Sequence, residues 1–263
     1  YSNSNYNEYT PDIGNGYTQY TVFYNQYKKD GTEVNDQRAR LVHDYYSSSS
    51  SNFGNVYIGR GFVKFSDDSF MVPYYRPGDT KEGCHLSKFK NQIYLGLEKV
   101  NGGDIEGILD QNIASADCVI TGPFSDESFI MVAPITDLDD ITYYNIEFQR
   151  FDKDGTKIGT RTAVNTNLEG DQRYVRAATF SDDSFIIVYQ DTSRGQSPSC
   201  KSIEFQRFDK DGNKLGLETV AEECHLYNII HNALHEIVVL ENDYFVISYS
   251  KENQYTGNSN YDL

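Results

Sequence analysis

The sequence predicts an all-β fold, a four-bladed β-propeller-like ring of four-stranded repeats of about 58 residues each. A phrase typified by FSDDSF, followed by β-branched and aromatic residues, occurs four times. Its second aromatic residue falls at Phe70, Phe129, Phe185 and Phe245, at intervals of 59, 56 and 60 residues. No long segment shows the apolar periodicity of an amphipathic helix, so strands are the expected element throughout.

A second phrase alternates with the first and supplies the remaining strands of each repeat. IEFQRFDKDG begins at Ile146 and again at Ile203, and a weaker copy, VFYNQYKKDG, begins at Val22. Asp-Gly between two strand-like runs is a strong hairpin signal because both central residues of a type I′ turn need positive φ. We therefore expect strands A and B around the FSDDSF turn, and strands C and D around the Asp-Gly turn. In the first repeat, LGLEKV from residue 95 is the expected strand D.

The two ends of the chain each supply half of a repeat. The N-terminal part carries strands C and D, and the C-terminal part carries strands A and B, so we expect them to share one blade. Closure within one chain is favoured by loop entropy, and the alternative is pairing between neighbouring molecules into a filament or larger ring. The predicted organisation is a Tyr/Asn/Ser-rich segment 1–17, a single β-propeller domain 18–250 and a similar tail 251–263.

Composition restricts the classes of partner. With 23 Lys and Arg against 39 Asp and Glu, the chain has a net charge of −16, which argues against binding to nucleic acid or to an anionic membrane surface. No apolar run approaches the length of a transmembrane helix, so we expect no membrane insertion.

The four cysteines fall at equivalent places in two repeats. Cys84 and Cys200 open strand C, and Cys118 and Cys224 lie at the following connection between strands D and A. This arrangement predicts the disulfides Cys84–Cys118 and Cys200–Cys224 in a secreted or extracellular surface protein, since disulfides persist in oxidising compartments. The alternative is four unrelated buried thiols.

Strand alternation also separates two ends of the ring. Short acidic turns gather at one end and long loops at the other, and long loops on a rigid scaffold are the usual place for recognition. We predict a ligand or partner face there, formed by Tyr45, Tyr46, Tyr74, Tyr75, Tyr143, Tyr144, Tyr227, Arg76, Arg173 and Arg194. Tyrosine suits both sugar stacking and protein interfaces, but it also fills the interior of strands, and both interpretations stay open.

The Asp-Gly turns contain a partial calcium-loop pattern, formed by Asp152, Asp154, Asp209, Asp211 and Asn213. Alternating oxygen ligands suit Ca²⁺, but the acid expected further along is replaced by Ile158 and Leu215, which favours a plain hairpin turn. We expect no cofactor, with Ca²⁺ as the alternative. No nucleophile elbow or phosphate-binding loop occurs, and no carboxylate pair stands out in an apolar pocket, so no catalytic residue and no enzyme activity are predicted.

VNTNLEGDQRYVRAATFSDDSFIIVYQ, together with IEFQRFDKDGTKIG, resembles the propeller-type repeats of large bacterial and protist secreted or surface proteins. The resemblance is close over residues 141–220 and weaker over 18–100, and it departs where such repeats often carry Trp, at Tyr75, Ala133, Tyr189 and Tyr249. It implies an extracellular location and an adhesive or scaffold role, with no shared chemistry. The expected function is a non-catalytic adhesion or assembly module that binds protein partners or its own copies. A secreted carbohydrate-binding lectin, with or without Ca²⁺, is the alternative.

Overall fold

A computed structural model describes residues 17–24, 27–32, 39–47, 57–76, 83–90, 105–109, 117–136, 143–193, 201–223 and 228–253. The strands are β1 (Tyr17–Tyr24), β2 (Ala39–Ser47), β3 (Tyr57–Ile58), β4 (Val63–Lys64), β5 (Ser69–Arg76), β6 (Gly83–Lys90), β7 (Ile105–Leu109), β8 (Val119–Thr121), β9 (Phe129–Thr136), β10 (Tyr144–Phe151), β11 (Lys157–Ala163), β12 (Gln172–Thr179), β13 (Phe185–Asp191), β14 (Ser202–Phe208), β15 (Lys214–Glu222), β16 (Asn228–Val239) and β17 (Phe245–Asn253). Among the described residues, one 3-10 turn spans Glu241–Asp243. The all-β class predicted from the sequence is confirmed.

The strands form antiparallel sheets in chain order. Repeat 2 (β8–β11) and repeat 3 (β12–β15) are four-stranded meanders, and in repeat 1 (β3–β7) the short strands β3 and β4 both pair with β5, followed by β6 and β7. Repeat 4 contains β16 and β17. The strand that completes repeat 1 is Ile105–Leu109, paired with β6. The segment from residue 95, expected there, lies outside the described residues.

The terminal strands differ from the prediction. β1 pairs with β2 along its whole length, and β16 pairs with β17, as two separate two-stranded sheets. The shared blade is therefore not formed by the described strands. Each hairpin closes locally at small entropic cost, whereas β1 and β17 would have to meet from opposite ends of the chain. β17 also extends three residues beyond the predicted boundary at 250, to Asn253.

The FSDDSF turns have a common local cause. The second acidic position has positive φ in every repeat, at 62° for Asp68, 61° for Glu127 and 67° for Asp183. The first acid closes the turn, as in repeat 3, where Asp182 Oδ1 accepts the Ser184 N–H at 3.0 Å. Short acidic side chains stabilise such turns by bonding the backbone two residues ahead. The turn therefore follows from the sequence of the repeat alone.

The core lies between successive repeats. On β13, Phe185, Ile187 and Tyr189 pack against repeat 2, while Ile186 and Val188 pack against repeat 4. Side chains alternate between the two faces of a strand, so a fully buried strand needs a neighbour on both faces. This explains why every residue of β13 is apolar or buried.

Candidate functional site

Successive repeats pack through the same aromatic contact at each of the three junctions. The first Phe of one turn lies against the second Phe of the next repeat: Phe65–Phe129 at 5.9 Å, Phe124–Phe185 at 5.8 Å and Phe180–Phe245 at 6.1 Å between ring centroids. The same pair of sequence positions therefore makes the contact at each junction, although the angle between the two rings varies from 31° to 79°.

The turns themselves are hydrogen-bonded from one repeat to the next. Ser66 N donates to Glu127 Oε1 at 2.9 Å, Ser125 N to Asp183 Oδ1 at 2.8 Å, and Ser181 N to Asp243 Oδ1 at 3.3 Å. The acceptor is always the positive-φ acid of the following turn. Part of the negative charge at the FSDDSF turns therefore serves to accept hydrogen bonds that link one repeat to the next.

A cation on strand C adds a third link between repeats. Lys88 Nζ donates to the Lys153 carbonyl at 2.7 Å, and Arg150, one repeat later, donates to the Lys210 carbonyl at 2.6 Å. Arg207 occupies the next equivalent position and is exposed, with its guanidinium 5.5 Å from the Phe180 ring centre. Repeat 3 therefore exposes, in Arg207, the equivalent of the cations Lys88 and Arg150 that link the earlier repeats.

Repeat 4 exposes the face that the earlier repeats bury. Val246 occupies the position of Ile186, which is fully buried, yet Val246 is 47% exposed. We name this surface the outer face of repeat 4 and define it by Val238, Leu240, Tyr244 and Val246, all at least 46% exposed. Among the described strands β17 pairs only with β16, so its other backbone edge has no partner in this part of the chain. Apolar side chains beside an open strand edge are typical of an interaction surface.

Residues of all four repeats meet in a charged cluster, which we name the axial cluster and define by Arg60, Asp117, Arg176, His235 and Glu236. Glu236 Oε1 lies 3.0 Å from Arg60 Nη1 and 3.1 Å from Arg176 Nε, so repeats 1, 3 and 4 are joined at one point. Repeats 1 and 2 meet beside it through a parallel bridge between Arg60 and Val119.

Burial perturbs the titration of the axial cluster. Burial raises the pKa of Asp117, although the Tyr174 N–H, at 3.0 Å, and the charges of the nearby arginines act in the opposite direction. Burial, reinforced by Arg176, lowers the pKa of His235 to about 4. The cluster therefore holds a neutral imidazole at neutral pH. None of these five residues belongs to a site predicted from the sequence, because nothing local marks positions that come together from different repeats.

Of the predicted partner face, the structure describes the side chains of Tyr74, Tyr75, Tyr143, Tyr144 and Arg173. Arg173 stacks over the Tyr144 ring at 4.0 Å and pairs with Asp171 at 3.0 Å, and Tyr143 is 42% exposed. Tyr74 and Tyr75 are 2% and 5% exposed, which favours strand filling for these two residues. The structure describes only the backbone of Tyr45, Tyr46 and Arg76, and Tyr227 and Arg194 lie outside the described residues.

A disulfide joins Cys84 and Cys118, with a Cα–Cα distance of 5.6 Å. It connects strand C of repeat 1 to the residue before strand A of repeat 2, and both sulfur-bearing residues are fully buried. The bond therefore links two repeats across their junction. Cys200 and Cys224 lie outside the described residues.

The acids of the Asp-Gly turns stabilise the turns. Asp209 Oδ1 accepts the N–H groups of Asp211 and Asn213 at 2.9 and 2.8 Å, and the bonds from Asn213 are the main cause of its lowered pKa. Asp152 Oδ1 bonds Asp154 N in the same way, at 2.9 Å. The Asp154 carboxylate itself pairs with Lys88 Nζ at 2.6 Å. These contacts favour the hairpin interpretation over a calcium loop.

Comparisons with known proteins do not assign the chain to a family. No protein-family model matches the chain, and no curated protein is significantly similar to it. Within the described residues, no helix has the length and apolar character needed to cross a bilayer.

Proposed function

We propose that the protein is a non-catalytic extracellular adhesion or assembly module that associates with its own copies or with a protein partner through the outer face of repeat 4. The observation that carries the proposal is the exposure of this face, since the equivalent face of repeat 3 is buried by the next repeat. The packing that joins successive repeats three times within the chain could join repeat 4 to another chain in the same way. A second copy of this chain is the partner that we propose to test first.

A propeller-like ring of four repeats is the arrangement we propose for the scaffold. The Arg60–Glu236 ion pair supports it by connecting the first and fourth repeats at the axial cluster. The common geometry of the three junctions supports it as well. If the β1–β2 hairpin covered the outer face of repeat 4 in the same chain, the ring would close and the protein would remain monomeric.

The Cys84–Cys118 disulfide supports an extracellular location, because structural disulfides are rare in reducing compartments. The carbohydrate-binding alternative receives no comparable support from the described residues. The Tyr144 ring is covered by Arg173, and Tyr74 and Tyr75 lie in the core.

Sedimentation velocity of the full chain over a wide concentration range tests the proposal. We expect a concentration-dependent oligomer that is lost in Val246→Lys, because a charge on an exposed edge strand opposes strand and face pairing. Leu217→Lys is the matched control, since Leu217 is 89% exposed but lies on β15 of repeat 3. A strictly monomeric wild-type chain at every concentration, or an equal effect of both substitutions, would contradict self-assembly through this face.

A further inference from the structure

Strands B and C of repeats 1, 2 and 3 are joined by a stacked pair of aromatic rings. The two rings stand opposite each other in the strand register, with centroids 5.0–5.5 Å apart, in the pairs Phe70–Phe89, Phe129–Phe151 and Phe185–Phe208. Repeat 4 has the strand B member of such a pair, Phe245, which is half-buried. The residue at the matching place of the N-terminal phrase VFYNQYKKDG is Tyr27, which is 56% exposed. Repeat 4 and the N-terminal segment therefore hold the two halves of a fourth aromatic pair.

An aromatic residue of the preceding repeat packs against the pair in repeat 3. Phe148 on β10 touches both rings of that pair, at centroid distances of 5.3 and 5.1 Å. Phe205 occupies the place of Phe148 one repeat later, and its ring lies 5.5 Å from that of Phe245. A ring opposite Phe245 would therefore give Phe205 the second contact that Phe148 has.

The N-terminal Asp-Gly turn, residues 27–32, has the backbone geometry of the equivalent turns in repeats 2 and 3. Lys28 N donates to the Thr32 carbonyl at 2.8 Å and Gly31 N donates to the Lys28 carbonyl at 2.9 Å, and the four corresponding bonds of the other two turns measure 2.9–3.0 Å. Gly31 has a φ of 84°, against 84° and 86° for the corresponding glycines. The turn therefore has the backbone shape that packs between repeats elsewhere, although Lys28 stands where those turns have aspartate.

The surroundings of this turn differ from those of its counterpart in repeat 3. A Cβ atom added to Gly212 would lie 3.3 Å from the Phe148 ring of the preceding repeat, whereas one added to Gly31 would meet nothing within 4 Å. The aromatic residue beside the turn is fully buried at Phe208 and exposed at Tyr27. The described residues therefore place no aromatic ring against the N-terminal glycine.

The cation of strand C supplies a polar link at the same junctions. Lys88, Arg150 and Arg207 each lie over the first Phe of the turn in their own repeat, with the charged group 4.7–5.7 Å from the ring centre. The first two also donate to the carbonyl of the lysine that precedes the Asp-Gly pair of the following repeat, and their side chains are 20% and 21% exposed. Arg207 is exposed, and Lys29 precedes the Asp-Gly pair of the N-terminal turn. Arg207 and the Lys29 carbonyl therefore match the donor and the acceptor of this link.

The open edge of β17 fits the N-terminal strand in the same register. Among the described strands, β17 pairs only with β16, and β1 pairs only with β2. The register shared by the three aromatic pairs, applied to repeat 4, places Tyr27 opposite Phe245 and Gln19 opposite Asn253, with β1 antiparallel to β17. A single register thus forms both the aromatic pair and a backbone ladder, which is how an added strand binds a sheet edge.

We propose that the N-terminal hairpin of a second copy, formed by β1, the turn 27–32 and β2, adds to β17 as strands C and D of repeat 4. In this contact Tyr27 stacks on Phe245, and Arg207 donates to the Lys29 carbonyl. The inference rests on the self-association proposed above, and it names the segment that occupies the strand edge beside the outer face of repeat 4. Within one chain the two hairpins form separate sheets, so every copy presents both partners of a head-to-tail contact.

Photo-crosslinking of light and heavy chains tests which segment docks and on which copy. The light full chain carries the photoreactive residue p-benzoylphenylalanine in place of Tyr27. It is mixed at low concentration with an excess of wild-type chain labelled with heavy nitrogen, and the mixture is concentrated and irradiated. We expect peptide mass spectrometry to find position 27 linked mainly to heavy peptides that contain Phe205 or Phe245. Links to the light forms of these peptides alone would show that the hairpin closes its own chain, and would overturn the proposal.

Arg207→Gln tests the polar link, and it should not disturb the fold because Arg207 is exposed. We expect the dissociation constant of self-association, measured by sedimentation velocity, to rise at least about 10-fold, since a hydrogen bond from a charged group is lost. Arg207→Lys should retain self-association, because a lysine makes this link at position 88. Lys210→Gln is the matched control, since it removes one positive charge from the same hairpin at a side chain that is 66% exposed, and it should leave the dissociation constant unchanged.

The outcomes separate a failure of this inference from a failure of the proposed function. If the wild-type chain associates and Val246→Lys prevents association, while Arg207→Gln behaves like Lys210→Gln, the outer face binds a different segment and only the docking of the hairpin is wrong. If the wild-type chain is monomeric at every concentration, self-association fails, and the docking of a second copy fails with it.

Discussion

The axial cluster makes stability depend on pH through His235. Its side chain is 1% exposed, and burial, then the Arg176 charge, lowers its pKa from 6.5 to about 4. Between these two values the unfolded chain binds a proton that the folded chain excludes. The contribution of neutral His235 is therefore fully present above pH 6.5 and is lost as the pH falls towards the folded pKa.

The size of the effect follows from the shift. The difference between the His235 pKa values of the unfolded and folded chains, 6.5 and about 4, corresponds to about 3 kcal/mol of unfolding free energy. This free energy is lost progressively as the pH falls from the first value to the second. One proton gives a maximal slope of about 1.4 kcal/mol per pH unit. Asp117, whose pKa burial raises, acts in the opposite direction, because its ionisation with rising pH costs the folded state free energy. The net slope is therefore expected to stay below the one-proton limit.

Urea denaturation of the full chain at several pH values from 7 to 4.5 measures this slope, and His235→Gln removes the titrating group. We expect the variant to show a flatter dependence of the unfolding free energy on pH, whatever its stability at pH 7. If wild type and variant lose stability in parallel over this interval, His235 is not the group responsible, and the assignment of a buried neutral imidazole is wrong.

Two further expectations concern the junctions between repeats. Phe185 is 1% exposed and touches the rings of Phe124, Phe148 and Phe208. Phe185→Ala should therefore lower the unfolding free energy, measured by denaturant titration, by about 3–5 kcal/mol. Phe62→Ala is the control, because Phe62 is exposed, and it should change the unfolding free energy by less than about 0.5 kcal/mol. The Cys84–Cys118 disulfide spans 34 residues and should contribute about 4 kcal/mol to stability by restricting the unfolded chain. Reduction of the disulfide, or replacement of both cysteines by serine, should therefore lower the midpoint of thermal unfolding. An unchanged midpoint would show that the disulfide does not stabilise the folded chain.

Much of the repeat architecture could be predicted because its signals are local. The FSDDSF and Asp-Gly turns form where expected, because in both an acid bonds the backbone two residues ahead. Positive φ falls on the acid that follows in the FSDDSF turn (Asp183) but only on the glycine in the Asp-Gly turn (Gly212), so the Asp-Gly turns do not have the type I′ geometry expected from the sequence. The strands on both sides of these turns follow directly. The exception is the end of repeat 1, where the pairing strand is Ile105–Leu109, a segment with no counterpart in the other repeats' phrases.

The candidate sites were harder to predict, and the reasons differ. The close group of Asp191, Glu204 and Glu218, whose oxygens lie within 4.8 Å of one another, could have been found by aligning repeats 2 and 3, because Glu218 stands where repeat 2 has Arg161. The axial cluster has no such signal, since Arg60 and Glu236 are 176 residues apart and meet only when repeats 1 and 4 come together. Tyr74 and Tyr75 could not be assigned to core or surface from their chemistry, which suits both.

The sequence by itself determined the period, the antiparallel hairpins and the excess of acid at their turns, because each depends on residues within a few positions of one another. The tertiary structure decided which faces are buried and where charges meet, and it showed that the described terminal strands form separate hairpins. These properties depend on the stacking of one sheet on the next. The same alternating strand is a buried layer in repeat 3 and an exposed face in repeat 4, and only the presence of a neighbour distinguishes the two.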